Sequence, residues 1–394
     1  MASFRPEEMH LEGIKESIDS QDLPSAINII QNYLEKQELE ELNIGITGES
    51  GSGKSTFVNA LRGLREEDED SAKTGVVETT MKPEVYLNPE YNNVKVWDLP
   101  GIGTQNFKAH EYLKLVNIER YDVFIIIASD RFKKCHAKLA KDIIEMGKKF
   151  YFVRSKIDQS IKAEKRKANF DEKNTLRSIR EDCENGMRKI DVKDPVVFLI
   201  SSWKLEKYDF NLLQEKIEKD LPKHKRDVLL LALPNITLNI NEKKKKAQEK
   251  NIARVAFLTA SVAAVPIPGL SIAVDSAIII KEIERYFKVF GLDDTSLQKL
   301  CERSGKSVEH FKSMMKSPLH GGINPASIFT LLGAASLALA EDACEYAVSL
   351  IPIIGSVITG TMSFCTVSAM LYKALNDIAT DARKVLLDSV QNEV

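Results

Sequence analysis

The spacing of apolar residues changes along this chain, and each change marks a new part. Leu11, Ile14 and Ile18, then Ala26, Ile29, Ile30 and Leu34, recur at intervals of three and four. That is the period of amphipathic helices, joined here at Asp22-Leu23-Pro24. From Leu42 the period drops to two, and Leu42-Asn43-Ile44-Gly45-Ile46-Thr47 predicts a strand. Residues 94–98, 150–154 and 196–202 predict further strands. Residues 55–63 predict a helix stopped by Gly63, and 210–220 a last helix broken by Leu221-Pro222. A basic linker, 223–226, follows.

Beyond the linker, residues 255–274, 323–340 and 346–372 form uncharged stretches of twenty, eighteen and twenty-seven residues. Their length admits membrane spans. They are also rich in Ala, Ser, Thr and Gly. Two share an interruption, Val265-Pro266-Ile267-Pro268-Gly269 and Ile351-Pro352-Ile353-Ile354-Gly355. Three readings stay open: a helical core, hairpins that insert reversibly into a membrane, and permanent spans. The run Lys243 to Lys246 reads as a solvated helix face or as a contact for anionic head groups. The expected organisation is N-terminal helices over 1–39, an α/β domain over 40–222, and a helical domain with apolar hairpins over 223–394.

Charge and cysteine usage narrow the function. The 394 residues carry 55 basic and 57 acidic side chains, a net charge of −2. That balance excludes a nucleic-acid surface as the main function. No apolar secretory segment opens the chain. Cys135, Cys183, Cys301, Cys344 and Cys365 are scattered without a C-x-x-C pair, so they read as reduced cytosolic thiols with no metal site.

The chemistry concentrates after the first strand. Gly48-Glu49-Ser50-Gly51-Ser52-Gly53-Lys54-Ser55 matches G-x-x-x-x-G-K-[ST], the loop that wraps nucleotide phosphates. The glycines let backbone N–H groups turn inward around an anion. Lys54 reaches the β- and γ-phosphates, and Ser55 sits on Mg²⁺. Thr56 opens the helix whose dipole faces the phosphates. Asp98-Leu99-Pro100-Gly101 ends the second strand as a D-x-x-G. Asp98 would hold Mg²⁺, and the Gly101 N–H would sense the γ-phosphate. Residues 65–83 form a candidate switch I. In it Thr80 is the favoured γ-phosphate and Mg²⁺ ligand, with Thr79 and Thr74 as rivals, and Glu78 is a candidate for positioning water.

The base is read from Ser155-Lys156-Ile157-Asp158, which follows a strand as [NT]-K-x-D does in GTPases. The Asp158 carboxylate accepts from guanine N1–H and its exocyclic amine, a donor pair that adenine lacks. Lys156 lies along the base plane, and Ser201-Ser202 could close over it. Ser155 stands where Asn or Thr is usual, and its hydroxyl could tie this loop to the phosphate loop. The residue after Gly101 is Ile102, where Ras-like enzymes place a water-positioning Gln. Slow hydrolysis in the monomer, accelerated by self-association or a partner, is therefore expected. The alternative is a regulatory GTP-binding switch in which slow hydrolysis serves as a timer.

These strings, with Lys73-Thr74-Gly75-Val76-Val77-Glu78-Thr79-Thr80-Met81, Trp97-Asp98-Leu99-Pro100-Gly101-Ile102-Gly103-Thr104 and Arg131-Phe132-Lys133-Lys134, resemble the immunity-related, interferon-inducible GTPases over nearly the whole chain. Lys54 places the resemblance with the GKS-type subgroup. The resemblance implies a Ras-like G domain carried on an all-α domain built from both chain ends. It implies GTP/GDP and Mg²⁺ as cofactors, and dynamin-like, GTP-dependent pairing through G domains. It also implies cell-autonomous defence at pathogen-vacuole membranes from a cytoplasmic protein. On the same grounds Arg131 and Lys133 lie near the self-association face, and Glu78 supports hydrolysis. Many members carry an N-myristoylated glycine after the initiator Met; here that residue is Ala2, so this anchor is expected to be absent.

Overall fold

A computed structural model describes residues 40–75, 82–102, 108–192, 194–263, 270–317 and 358–390. The helices expected over 1–39 and the interruptions at 265–269 and 351–355 lie outside the described residues. The chain divides into two compact units, with the boundary after Pro234.

The first unit is built on a six-stranded sheet. Its strands are β1 (Leu42–Gly48), β2 (Glu84–Leu87), β3 (Val94–Asp98), β4 (Val123–Ala128), β5 (Tyr151–Arg154) and β6 (Val197–Leu199), in the order β2-β3-β1-β4-β5-β6. All neighbours run parallel except β2, which pairs antiparallel with β3 at one edge. Helices α1 (Lys54–Leu61), α2 (Ala109–Leu115), α3 (Lys134–Glu145), α4 (Ile157–Glu164), α5 (Glu172–Arg188), α6 (Phe210–Asp220) and α7 (Lys223–Ala232) accompany it. This is the α/β P-loop class that the pattern predicts. Central strand β4, Val-Phe-Ile-Ile-Ile-Ala, is buried at every position, as a parallel strand covered on both faces must be. β1 is flanked by β3 on one side and β4 on the other. The chain order therefore reverses there, and a crevice opens at the carboxyl ends of the strands.

The sequence ends this domain at Pro222, but the unit continues through α7. Leu221 does end α6, with Pro222 as the N-cap of the next helix. That helix packs on β1 and β3, and the Asn88 side-chain amide donates to the Ala232 carbonyl at 2.8 Å. Proline stops a helix here without stopping the domain.

The second unit contains α8 (Leu238–Ala263), α9 (Leu270–Phe290), α10 (Asp294–Ser304), α11 (Val308–Met314) and α12 (Ile358–Val390). On α12, Val367, Leu371, Leu375 and Ile378 are fully buried at spacings of four, four and three. Each such side chain contributes about 1.5–3 kcal/mol of burial. Asp293 caps α10 through the Ser296 N–H, and Ser307 caps α11 through the His310 N–H. The lysine run lies on α8 and is not uniform. Lys244 is buried and donates to the Val289 carbonyl at 2.7 Å, placing its charge at the C-terminus of α9. Only Lys246 of the four is fully exposed. Among the described residues no helix is long and apolar enough to cross a membrane.

Candidate functional site

The phosphate loop leaves β1 at Gly48 and enters α1 at Lys54. A Cβ at Gly48 would lie 2.1 Å from the Ile127 carbonyl oxygen, so only glycine passes β4 this closely. Gly51 and Gly53 have φ of 73° and 89°, the left-handed region that turns the amides inward. Ser52 N–H and Lys54 Nζ both donate to the Glu49 carbonyl, at 3.1 Å each. No side chain caps α1. Its first N–H groups are therefore left for an anion.

The Ser55 hydroxyl donates to Asp98 Oδ2 at 2.5 Å, joining the start of α1 to the end of β3. A hydroxyl and a carboxylate beside a phosphate loop are the hard oxygen donors that Mg²⁺ takes, so these residues fit that ion. The stretch after Asp98 is held firmly. Tyr112 OH donates to the Pro100 carbonyl at 3.0 Å and meets Thr47 Oγ1 at 2.5 Å. Ile102 N–H donates to the Gly48 carbonyl at 3.0 Å. Gly101 thus sits one residue from the phosphate loop. The Ile102 side chain is buried in the core beside β4.

The base end converges on the same loop. Ser155 is buried, and its hydroxyl donates to the Ser52 carbonyl at 2.6 Å. Lys156, at φ 55°, donates from Nζ to the Gly51 carbonyl at 2.8 Å, with its stem beside Gly53. Asp158 lies in the first turn of α4, and its Oδ1 is shielded from solvent without a hydrogen-bond partner. An orphaned carboxylate oxygen is costly unless a ligand supplies the donor. Ile157 N–H reaches the Ile200 carbonyl at 3.3 Å, which brings the buried Ser201 and its neighbour Ser202 beside this loop.

Other residues fall elsewhere. The Glu49 carboxylate turns away from its own loop: Oε2 accepts from Lys133 Nζ at 2.7 Å and Oε1 from the Cys135 thiol at 3.2 Å. Only its backbone is left for phosphate. Thr56 Oγ1 donates to Glu66 Oε1 at 3.3 Å, so this hydroxyl serves the segment after α1. Arg131 and Lys133 are exposed before α3. Glu78, Thr79 and Thr80 lie outside the described residues; Thr74 is half-buried.

Sequence reasoning missed the residues that pin the switch I stem. Asn59, buried on α1, donates to the Ala72 carbonyl at 2.9 Å and accepts the Ala72 N–H at 2.6 Å. Arg62 donates to the carbonyls of Asp70 at 2.8 Å and Leu87 at 2.8 Å, with its guanidinium over the Tyr86 ring. Residues 65–72, counted in the sequence with switch I, are therefore built onto α1. Asn59→Ala should leave both Ala72 backbone groups buried and unpaired. A loss of about 1–3 kcal/mol is expected, read as a lower urea midpoint at unchanged m-value.

The Interferon-inducible GTPase (IIGP) family profile matches residues 7–388. The chain is 39% identical to Interferon-inducible GTPase 5 of Bos taurus over 385 residues, covering 97% of this chain and 83% of that protein. It is 41% identical to Interferon-inducible GTPase 1 of Mus musculus over 293 residues, covering 73% of this chain and 70% of that one. With a phosphate loop, a D-x-x-G and the Ser155–Asp158 loop assembled at the carboxyl ends of the strands, the chain belongs to the interferon-inducible GTPase family.

Proposed function

We propose that this protein binds GTP with Mg²⁺, hydrolyses it slowly as a monomer, and is activated when copies pair through their G domains at intracellular membranes. The observation that carries the self-activation is Ile102. It occupies the place of the water-positioning Gln, and its side chain is packed into the core. The attacking water needs a polar group from another source. In this reading the phosphate-loop amides and Lys54 hold the phosphates, and Ser55 and Asp98 hold Mg²⁺. Asp158 and Lys156 hold guanine, with Ser201 and Ser202 closing over it. Thr80 and Glu78 keep the switch I roles inferred from sequence, and Arg131 and Lys133 belong to the pairing face. Bound Mg²⁺ would neutralise charge that develops on the phosphates. The biological role proposed is cell-autonomous defence against pathogens enclosed in vacuoles.

Turnover per molecule should rise with protein concentration and rise further on liposomes. Initial rates of phosphate release across a hundredfold concentration range test this. A constant turnover number would sink self-activation and leave the regulatory switch, whose GTP form recruits a different partner.

A further inference from the structure

Strand β5 carries a residue that packing alone does not explain. Tyr151, Phe152, Val153 and Arg154 are all buried, as a strand inside a parallel sheet requires. Three of them suit that place. Arg154 is only 8% exposed, and arginine is rarely so buried unless a carboxylate pairs with it. Burial pushes its pKa down, against the pull of nearby acidic groups, Asp130 and Asp182 among them. Its side-chain hydrogen bonds go not to a carboxylate but to the loop that follows. Nη1 donates to the Ser155 carbonyl at 2.6 Å, and Nη2 to the Ser160 hydroxyl at 3.3 Å. Ser160 in turn donates to the Lys156 carbonyl, from its hydroxyl at 3.3 Å and its amide at 3.1 Å.

The guanidinium thus spans the turn from Ser155 to Ser160. Within it Lys156 is held at φ 55°, a conformation that residues with a side chain keep only where their surroundings impose it. Asp158 follows in the first turn of α4, with Oδ1 enclosed and unpartnered. The Arg154 carbonyl also accepts the Ile200 N–H at 2.9 Å, so the segment leading to Ser201 and Ser202 is tied to the same residue.

We propose that Arg154 is a positioning residue for base selection: its planar fork sets the turn that aims the Asp158 carboxylate at guanine. This rests on the reading of Asp158 as the guanine contact. Arg154 acts through the loop and need not touch the nucleotide. A carboxylate serves both the ring N–H and the exocyclic amine only if its orientation is fixed, to within about 10–20°. The Ser155 hydroxyl is committed to the Ser52 carbonyl, so the hold on the turn itself comes from the residue before it.

The test is the affinity of the full-length protein, with Mg²⁺, for GDP and for inosine diphosphate, whose base lacks the exocyclic amine. Wild type should prefer GDP by about 10- to 100-fold, the value of one charge-assisted hydrogen bond. Arg154→Met should lower that preference by at least ~fivefold. General loosening would weaken both nucleotides alike and leave the ratio unchanged. Arg154→Lys keeps the charge without the fork and should lose the preference as well. Ser160→Ala removes one end of the span and should move the ratio in the same direction, which keeps the test open if Arg154→Met fails to fold. A wild-type ratio in folded Arg154→Met, in Arg154→Lys or in Ser160→Ala would overturn the proposal. No GDP preference in the wild type would overturn the Asp158 reading, and the proposal with it.

Discussion

Replacing Lys54 with alanine is expected to abolish useful nucleotide binding while the domain stays folded. Lys54 is the first residue of α1 and is largely buried, with its ammonium held at the Glu49 carbonyl. In a nucleotide complex that ammonium would meet two phosphate groups. Charge-assisted contacts contribute about 1.5–3 kcal/mol each, so two amount to a ~10²- to 10⁴-fold loss of affinity. The fold should tolerate the change. The Glu49 carbonyl keeps its bond from Ser52 N–H, and alanine is the best helix former. Calorimetric titration with GDP and a non-hydrolysable GTP analogue gives the affinity, and thermal unfolding checks integrity. Near-native affinity in a folded Lys54→Ala protein would remove the phosphate loop from the site.

The second large effect is a change of base. Asp158 Oδ1 is enclosed and has no hydrogen-bond partner, whereas guanine offers a ring N–H and an exocyclic amine. Asp158→Asn would set an amide NH₂ against that amine, donor against donor. The loss of one charge-assisted bond and the unpaired donor sum to about 3–4 kcal/mol, or ~10²- to 10³-fold in GTP affinity. Xanthine carries a carbonyl where guanine has the amine, so the same variant should gain XTP. Competition of GTP and XTP for wild type and variant reads the ratio directly. An unchanged ratio would place base recognition elsewhere in the chain.

The legible parts of the chain are those whose signal is local. Strand β3 is found over Val94–Asp98 as the alternation predicts, and β1 exceeds its prediction only by Gly48. Strand β6 is shorter than 196–202 because its last residues leave the ladder and pass into the loop beside α4. Pairings across long separations are legible only where a motif carries them, as with the Ser155 hydroxyl and the phosphate loop. Glu49 belongs to the phosphate-loop string, yet its carboxylate pairs with Lys133, and nothing in a G-x-x-x-x-G-K-S string encodes that partner. The Asn59 contact with Ala72 was hidden for the same reason, and a lone Asn inside a helix pattern reads as polar surface. The lysine run illustrates a different limit. Four consecutive lysines look like one basic face, but residues on a helix point about 100° apart, so one of four can turn inward. Lys244 does, because the carbonyl end of α9 is there to receive it.

The single hydroxyl of Ser155, bonded to the Ser52 carbonyl, has a thermodynamic consequence for the whole nucleotide. It fastens the loop that carries Asp158 to the phosphate loop before any ligand arrives. A nucleotide then behaves as a two-toothed chelator. Whichever end docks first holds the other at a high effective concentration beside a seat already in position. Guanosine alone and pyrophosphate alone should each bind feebly, while their covalent union binds far more tightly than the two strengths would suggest. Breaking that one bond would loosen the chelate without removing either tooth.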